Sequence, residues 1–161
     1  MLRLTLLLLA TLLATLTACS PGERPCTLAA SVEGVHVDVD QAVAARAEHL
    51  AIEVCWDGAC RRSSAELMPA TRPGEQTCSG DTCSVTAVRT GAKFGFGTVS
   101  GLPKRPVEVR LTLAGAGGSE PVLARTIRVT PKATFPNGPD CGEGAPQVKL
   151  TVAADGTVRE G

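Results

Sequence analysis

Apolar and polar side chains alternate in several short segments of the chain. The alternation is clearest in residues 35–40, 50–56 and 107–113. A period of two puts the apolar side chains on one face of a β-strand and the polar ones on the other. The same rule, with Gly, Pro and Asp turn residues between the segments, predicts further strands at 59–67, 82–88, 96–102, 122–129 and 148–152.

The alternation also predicts which side chains face the core. Cys55 lies between the inward positions Val54 and Trp56 and is therefore expected to point to solvent. The polar residues His36, Asp38 and Asp40 are expected to point to solvent as well. The predicted inward residues are Val35, Val37, Val39, Leu50, Ile52, Val54, Trp56, Ala65, Leu67, Val107, Val109, Leu111 and Leu113.

Seven to eight short strands separated by tight turns predict an all-β fold, an antiparallel β-sandwich. Two segments break the pattern. Residues 41–49 are rich in alanine, and Asp40 can cap a helix of two turns there. Residues 131–146 form the longest irregular stretch. A single Trp beside a sandwich strand resembles immunoglobulin-like and fibronectin-like domains, although the cysteine spacing of true immunoglobulins is absent. The resemblance concerns the architecture only.

The N-terminus has the pattern of a targeting segment. Arg3 precedes an apolar run over residues 4–16, which ends in Leu16-Thr17-Ala18-Cys19. This ending resembles the lipobox of bacterial lipoproteins, in which the cysteine receives a diacylglyceryl group and becomes the first residue after cleavage. The resemblance implies that Cys19 is lipidated; the alternative is an ordinary secreted protein in which Cys19 is incidental.

The chain accordingly divides into three parts. Residues 1–18 are expected to be a signal peptide, 19–25 a lipid-anchored tether and 26–161 a single β-sandwich domain. Arg outnumbers Lys by 12 to 4, which resembles small lipoproteins of high-GC Gram-positive bacteria. The resemblance implies anchorage on the extracytoplasmic face of the cell membrane. Six residues between Cys19 and Cys26 reach roughly 20–25 Å, so partners are expected close to the bilayer.

The cysteines predict three disulfides. Seven are present, and six remain once Cys19 is set aside for lipid. Two pairs enclose four residues with a turn-forming Asp-Gly or Gly-Asp at the centre, which places the cysteines opposite each other in a hairpin. We therefore expect Cys55–Cys60 and Cys78–Cys83, which leaves Cys26–Cys141. Zinc binding through the two C-x4-C pairs is the alternative, but an oxidising compartment favours disulfides.

Composition argues against several functions. The 16 cationic and 16 anionic side chains balance, so no basic surface for nucleic acid is expected. Two histidines and no assembled nucleophile–base pair argue against an enzyme, and we expect no metal and no cofactor. Trp56 is expected to pack in the core rather than serve as a ligand platform.

Two functions remain. The first is a non-enzymatic binding or structural module of the envelope, anchored to the membrane, with an envelope protein or glycan near the bilayer as partner. Its binding site is expected in loops such as residues 131–146. The second is a protease inhibitor of the secreted type that presents the bridged hairpin Cys78–Cys83 to a protease cleft.

Overall fold

A computed structural model describes residues 26–117 and 120–161 of the chain. The predicted signal peptide, the tether and the lipidation site at Cys19 lie outside the described residues. Among the described residues the structure has ten strands, a one-turn helix α1 and a short 3-10 helix at Pro139–Cys141. The elements are β1 Gly34–Val39, α1 Gln41–Ala44, β2 His49–Trp56, β3 Ala59–Glu66, β4 Met68–Ser79, β5 Thr82–Thr98, β6 Val107–Ala114, β7 Pro121–Val129, β8 Lys132–Ala133, β9 Pro146–Val152 and β10 Val158–Glu160.

The strands form the two sheets of an all-β sandwich. A six-stranded sheet has the order β10-β9-β1-β5-β4, with β8 also paired to β9, and a four-stranded sheet has the order β3-β2-β6-β7. All pairs are antiparallel except β1 and β9, which run parallel. In immunoglobulin constant domains the first strand lies beside the second. Here β1 lies between β5 and β9 instead. The chain therefore shares with those domains the arrangement in two packed sheets but not this strand order.

The core between the sheets is aliphatic. The predicted inward valines and leucines of β1, β2 and β6 are buried, joined by Val148, Leu150 and Val152 of β9. Trp56, which the alternation placed inside, is only partly buried and packs against the edge of this core. In the described part of the chain no polar or charged side chain is buried, and no aromatic side chain belongs to the buried set.

Glycines let the two sheets approach each other at β5. A Cβ at Gly95 would lie 2.8 Å from Leu50 Cδ2, and one at Gly97 would lie 2.7 Å from Ile52 Cδ1. Real Cβ atoms do not come so near, so the side chains of β2 occupy space that only glycine leaves open. Phe94 and Phe96 alternate with these glycines and therefore point to the outer face of the sheet.

The region between residues 68 and 102 differs from the sequence prediction. Residues 82–88 and 96–102 were expected as two strands, but β5 is one strand of 17 residues that ends at Thr98. Of the 12-residue strand β4, only the end at Cys78 was predicted, as part of the bridged hairpin. Its prolines and polar residues show no alternation because both of its faces are exposed along most of its length. The helix expected over 41–49 is one turn, with the Asp40 side chain accepting a hydrogen bond from Ala42 N.

The three disulfides join the cysteine pairs that the spacing predicts. Cys55 and Cys60 face each other across β2 and β3, and Cys78 and Cys83 across β4 and β5, each pair with its Cα atoms 4.1 Å apart. This separation is typical of cross-strand pairs that are not hydrogen-bonded to each other. Cys26 is joined to Cys141 over a sequence separation of 115 residues.

Candidate binding surfaces

Beyond the edge of the sandwich, β4 and β5 continue as a two-stranded ribbon, residues 71–89, which we call the arm. Every residue of the arm is exposed except Gly74, which is partly buried. Its strands pair only with each other among the described residues, and the Cys78–Cys83 disulfide lies next to the turn at its tip. A two-stranded ribbon without a buried face is marginally stable in water. The stability of the arm therefore depends on its disulfide and on any surface that the arm contacts.

A bulge in β5 marks the base of the arm. Between the pairs Pro69–Lys93 and Thr71–Arg89, β5 contains two more residues than β4. Gly91 takes a left-handed conformation there, with φ +81°, and a Cβ on it would lie 3.2 Å from Oε1 of Gln41 in α1. The Thr90 hydroxyl donates to the Ala70 carbonyl. Bulges of this kind bend a strand and change its direction.

The outer face of the six-stranded sheet carries aromatic and apolar side chains. His36 and Phe94 stack with ring centroids 5.9 Å apart, and Met68 lies opposite Phe94 in the neighbouring strand. Phe96 follows on the same side of β5 and is partly buried, whereas the Met68 side is open, with 54% of that residue exposed. We call His36, Met68, Phe94 and Phe96 the aromatic face.

Charged groups lie directly beside the aromatic face. Asp38 accepts a hydrogen bond from His36 Nε2 at 2.8 Å and pairs with Lys149 Nζ at 3.1 Å. Partial burial of the Asp38 carboxyl acts to raise its pKa, but hydrogen bonds and charge from His36 and Lys149 outweigh it, so the pKa of Asp38 lies below its ordinary value. Asp38 thus bonds both His36 and Lys149, and these charged groups form a polar border to the aromatic face.

The outer face of the four-stranded sheet is polar instead. Glu53 lies between Arg62 Nε at 2.7 Å and Arg110 Nη1 at 2.8 Å, and Arg110 also contacts Glu108. Hydrogen bonds from Arg110 and then Arg62 lower the pKa of the Glu53 carboxyl. A shallow groove of about 600 Å³ runs past this network and is lined by small and charged residues. The network as a whole holds two carboxylates and two guanidinium groups, which balance, so the groove offers no strong field to a charged ligand.

Trp56 lies at one end of the four-stranded sheet, next to the first bridged hairpin. The Arg61 guanidinium lies 5.5 Å from the centre of its ring. The neighbouring Asp57 receives Arg105 Nη1 at 2.7 Å, and this hydrogen bond lowers the pKa of the Asp57 carboxyl. Arg61 of the same chain therefore lies over the indole in a cation–π contact.

Residues 131–146, expected to carry a binding loop, contact the N-terminal segment. Asn137 forms two hydrogen bonds with the backbone of Ala29, at 3.0 and 2.9 Å, and the Ser31 hydroxyl lies 2.6 Å from Thr134 Oγ1. The Cys26–Cys141 disulfide lies in the same cluster. These polar groups hold the start of the domain, while Phe135 of the same segment is 47% exposed.

Most of the candidate groups for metal binding or catalysis have partners within the chain. Glu53, Cys55 and Cys60 offer ligand atoms within 4.8 Å of one another, but both sulfurs belong to a disulfide. Asp40 caps α1, and His36 is held by Asp38. His49 lies exposed at the start of β2.

The comparisons do not link the chain to any known group. No family model, no curated protein and no solved structure matches it. Within residues 26–117 and 120–161, no helix is both long enough and apolar enough to cross a membrane.

The sequence predicted part of the arm, namely the strand over residues 82–88 and the hairpin closed by Cys78–Cys83, but missed most of β4 and the aromatic face. The β4 strand has no hydrophobic alternation by which it could be recognised. The aromatic face does have a signal, since Phe94 and Phe96 alternate with Gly95 and Gly97. Two rings on one side of a strand, with glycines on the other, indicate that the large side chains lie opposite the packed side.

Proposed function

We propose that this chain is a lipid-anchored module on the extracytoplasmic face of a cell membrane, where it binds a partner without catalysing a reaction. The anchor rests on the lipobox that ends in Cys19. The compartment is supported by three disulfides, because such bonds persist outside the reducing cytoplasm. Two or more acyl chains hold a protein on a bilayer stably, whereas one alone is marginal.

We assign partner recognition to the aromatic face. The observation that carries this assignment is the distribution of rings: of the described side chains, the buried ones are aliphatic, and two of the three Phe lie together on an outer sheet face. Aromatic residues and Met are enriched at protein interfaces because they bury a large area with little loss of side-chain freedom. Placed outside the core, they offer apolar surface to a partner.

A protein of the envelope fits this surface better than a glycan. Glycan binding needs polar groups that are free to bond hydroxyls, and the groups beside the aromatic face bond one another. An apolar centre with a charged border, here Asp38 and Lys149, is the usual arrangement of a protein interface. The anchored position restricts such a partner to the neighbourhood of the membrane.

The anchor is tested by the intact mass of the protein extracted from membranes. We expect a chain that begins at Cys19 and carries a diacylglyceryl group. A Cys19→Ala variant should accumulate as an unprocessed or water-soluble product. A wild-type chain found in the medium with a different first residue would refute the anchor without bearing on the binding surface.

The binding surface is tested by photo-crosslinking in intact cells. A benzophenone amino acid replaces Met68, at the open side of the aromatic face, and in a control variant it replaces Ser64, which is exposed on the outer face of the other sheet. We expect a discrete crosslinked band from position 68 and none from position 64. Equal crosslinking at both positions, or none at 68, would contradict the assignment.

The inhibitor function is a second candidate, and one observation favours it. The Cys78–Cys83 hairpin stands at the end of the arm, where both strands are exposed and could enter a cleft. Incubation of the purified chain with a panel of secreted proteases tests it. Intact chain together with lost protease activity at micromolar concentration supports inhibition, and full activity of every protease removes this function.

A further inference from the structure

The two edges of the arm differ in their capacity to accept another strand. The β4 edge contains Pro73 and a bulge before Gln76, where β4 has one residue more than β5. Both features are common protections of exposed edges. The β5 edge from Thr82 to Thr90 contains no proline, no glycine and one charge, at Arg89. One edge of the arm is therefore protected and the other is open.

The open edge presents a regular row of backbone groups. Because Cys78 and Cys83 form a pair that is not hydrogen-bonded, the N–H and C=O of Cys83 point away from β4. By alternation along β5, the same holds for Val85 and Ala87. Among the described residues no strand pairs with this edge until β1 meets β5 at Lys93. Three residues thus offer six unpaired backbone groups to a neighbouring strand.

We propose that a second copy of this chain occupies the edge, with the two β5 strands antiparallel and a two-fold axis at Val85. Each copy then presents the same surface, as in most protein dimers. Cys83 faces Ala87 of the second copy, and Val85 faces Val85. The arms become a four-stranded ribbon, which removes the instability of an isolated pair of strands.

Charge selects this register over its neighbours. Asp81 and Arg89 are the only charged residues between positions 80 and 90. With the axis at Val85, Asp81 of each copy lies opposite Arg89 of the other, so the pairing forms two contacts between opposite charges. A shift of the register by two residues loses both contacts.

The side chains and the dimensions of the arm agree with this arrangement. Val85 and Val88, with 57% and 40% exposure, are the large apolar side chains of the arm and gain neighbours on its two faces. Directly opposed β-branched residues are favourable cross-strand pairs. The eight residues from Thr82 to Arg89 span roughly 26 Å, so the tip of one arm reaches the base of the other.

A pair of proline variants tests the edge. The N–H of Val85 points away from β4, so Val85→Pro blocks the β5 edge without removing a hydrogen bond from the arm. Gln76→Pro does the same on the β4 edge, since Gln76 lies opposite Val85. The molar mass of the full chain is measured by light scattering after gel filtration, with the detergent contribution subtracted. We expect wild type and Gln76→Pro to be dimers and Val85→Pro a monomer.

Charge reversal tests the register. Asp81→Arg and Arg89→Asp each oppose like charges twice, and we expect each to raise the dissociation constant of the dimer about tenfold. The double variant should return it to within about threefold of wild type. A monomeric wild type at about 100 μM, a concentration that populates any dimer of micromolar affinity, or a dimeric Val85→Pro overturns the proposal. Failure of the double variant to recover overturns the register. None of these outcomes depends on the lipid anchor or on the aromatic face.

Discussion

The molecule contains two hairpins that are bridged in the same way but lie in different surroundings. In both, two cysteines flank four residues and face each other at 4.1 Å between Cα atoms. The β2–β3 hairpin lies in the four-stranded sheet, where β6 pairs with its inner strand and Leu50, Ile52 and Val54 are buried. The β4–β5 hairpin extends into the arm, where the strands have no third neighbour among the described residues.

The difference shows that one cysteine motif stabilises two kinds of structure. In β2–β3 the disulfide adds to a hairpin that the core already holds. In the arm the disulfide is the main constraint, because the residues there bury no apolar surface. It therefore determines whether the two strands stay paired. Sequence spacing predicts the bridge in both places but does not distinguish these roles.

Matched valine truncations give the largest expected difference between the hairpins. Val54 is fully buried in β2, whereas Val85 in the arm is 57% exposed. Val54→Ala should lower the free energy of unfolding by about 2 kcal/mol, because it removes two buried methyl groups and leaves a cavity. Val85→Ala should change it by less than about 0.5 kcal/mol in dilute protein. Urea denaturation measures both changes in the free energy of unfolding. Equal decreases would mean that the arm packs against the sandwich.

Removal of each disulfide should affect different parts of the molecule. A bridge over so short a loop contributes up to about 2 kcal/mol by loop entropy. For Cys78→Ser/Cys83→Ser this loss should appear locally, with exchange of the paired amides of Ser84 and Val88 faster by roughly 30-fold and little change in global unfolding. For Cys55→Ser/Cys60→Ser the loss should appear in global unfolding. Hydrogen exchange read by mass spectrometry distinguishes the two, and slowed or unchanged exchange in the arm would contradict the first.

The turn glycines provide a smaller contrast. Gly58 and Gly80 both have positive φ, +76° and +59°, and a Cβ at either meets nothing within 4 Å. Alanine is strained in this conformation by about 1 kcal/mol. Gly58→Ala should therefore lower global stability by about that amount. Gly80→Ala should leave the thermal midpoint of the sandwich unchanged and destabilise only the turn at the tip of the arm. A lower thermal midpoint in both variants would show that the arm unfolds together with the sandwich.

The smallest expected effect is the pH dependence of the Asp57–Arg105 pair, which is present only at the β2–β3 turn. The lowered pKa of Asp57 means that its ionised form is favoured in the folded state. Its contribution is complete above the pKa of about 3.9 for an unfolded aspartate and is lost as pH falls through the folded value. Arg105→Ala should lower the thermal midpoint slightly at pH 7, and this difference should shrink as the pH falls below about 3.9. A difference that grows on acidification would contradict this sign.

Much of the sandwich could be predicted from sequence because its strands bury one face. β1, β2 and β6 follow the period-two rule, and their inward residues are the buried ones, except Trp56 at the core edge. β4 could not be found because exposure of both faces removes the alternation on which the rule depends. The continuity of β5 was hidden by Gly91, Gly95 and Gly97, which resemble turn residues in a sequence but serve a bulge and a close contact between sheets.

The candidate surfaces were harder to predict because they depend on pairing between distant strands. His36 and Asp38 were correctly placed together on the outward side of β1, yet the stacking of His36 on Phe94 follows from the β1–β5 register. The parallel pairing of β1 with β9 likewise cannot be derived from alternation. Spacing within one hairpin sufficed for two of the disulfides because both cysteines lie in the same local structure.

The Cys26–Cys141 disulfide determines how the domain carries a mechanical load. A force applied to the chain before Cys26 divides at this bond. One path leads into β1, and from Cys141 the others lead forward through residues 142–145 into β9 and back through residues 134–140 to β8, which also pairs with β9. β1 and β9 are parallel neighbours, with Gly34 beside Gln147, so both are pulled from the same end. The force cannot slide one past the other and must instead detach the pair together from β5 and the core. A domain tethered at this point is thereby protected against gradual unravelling from its N-terminus.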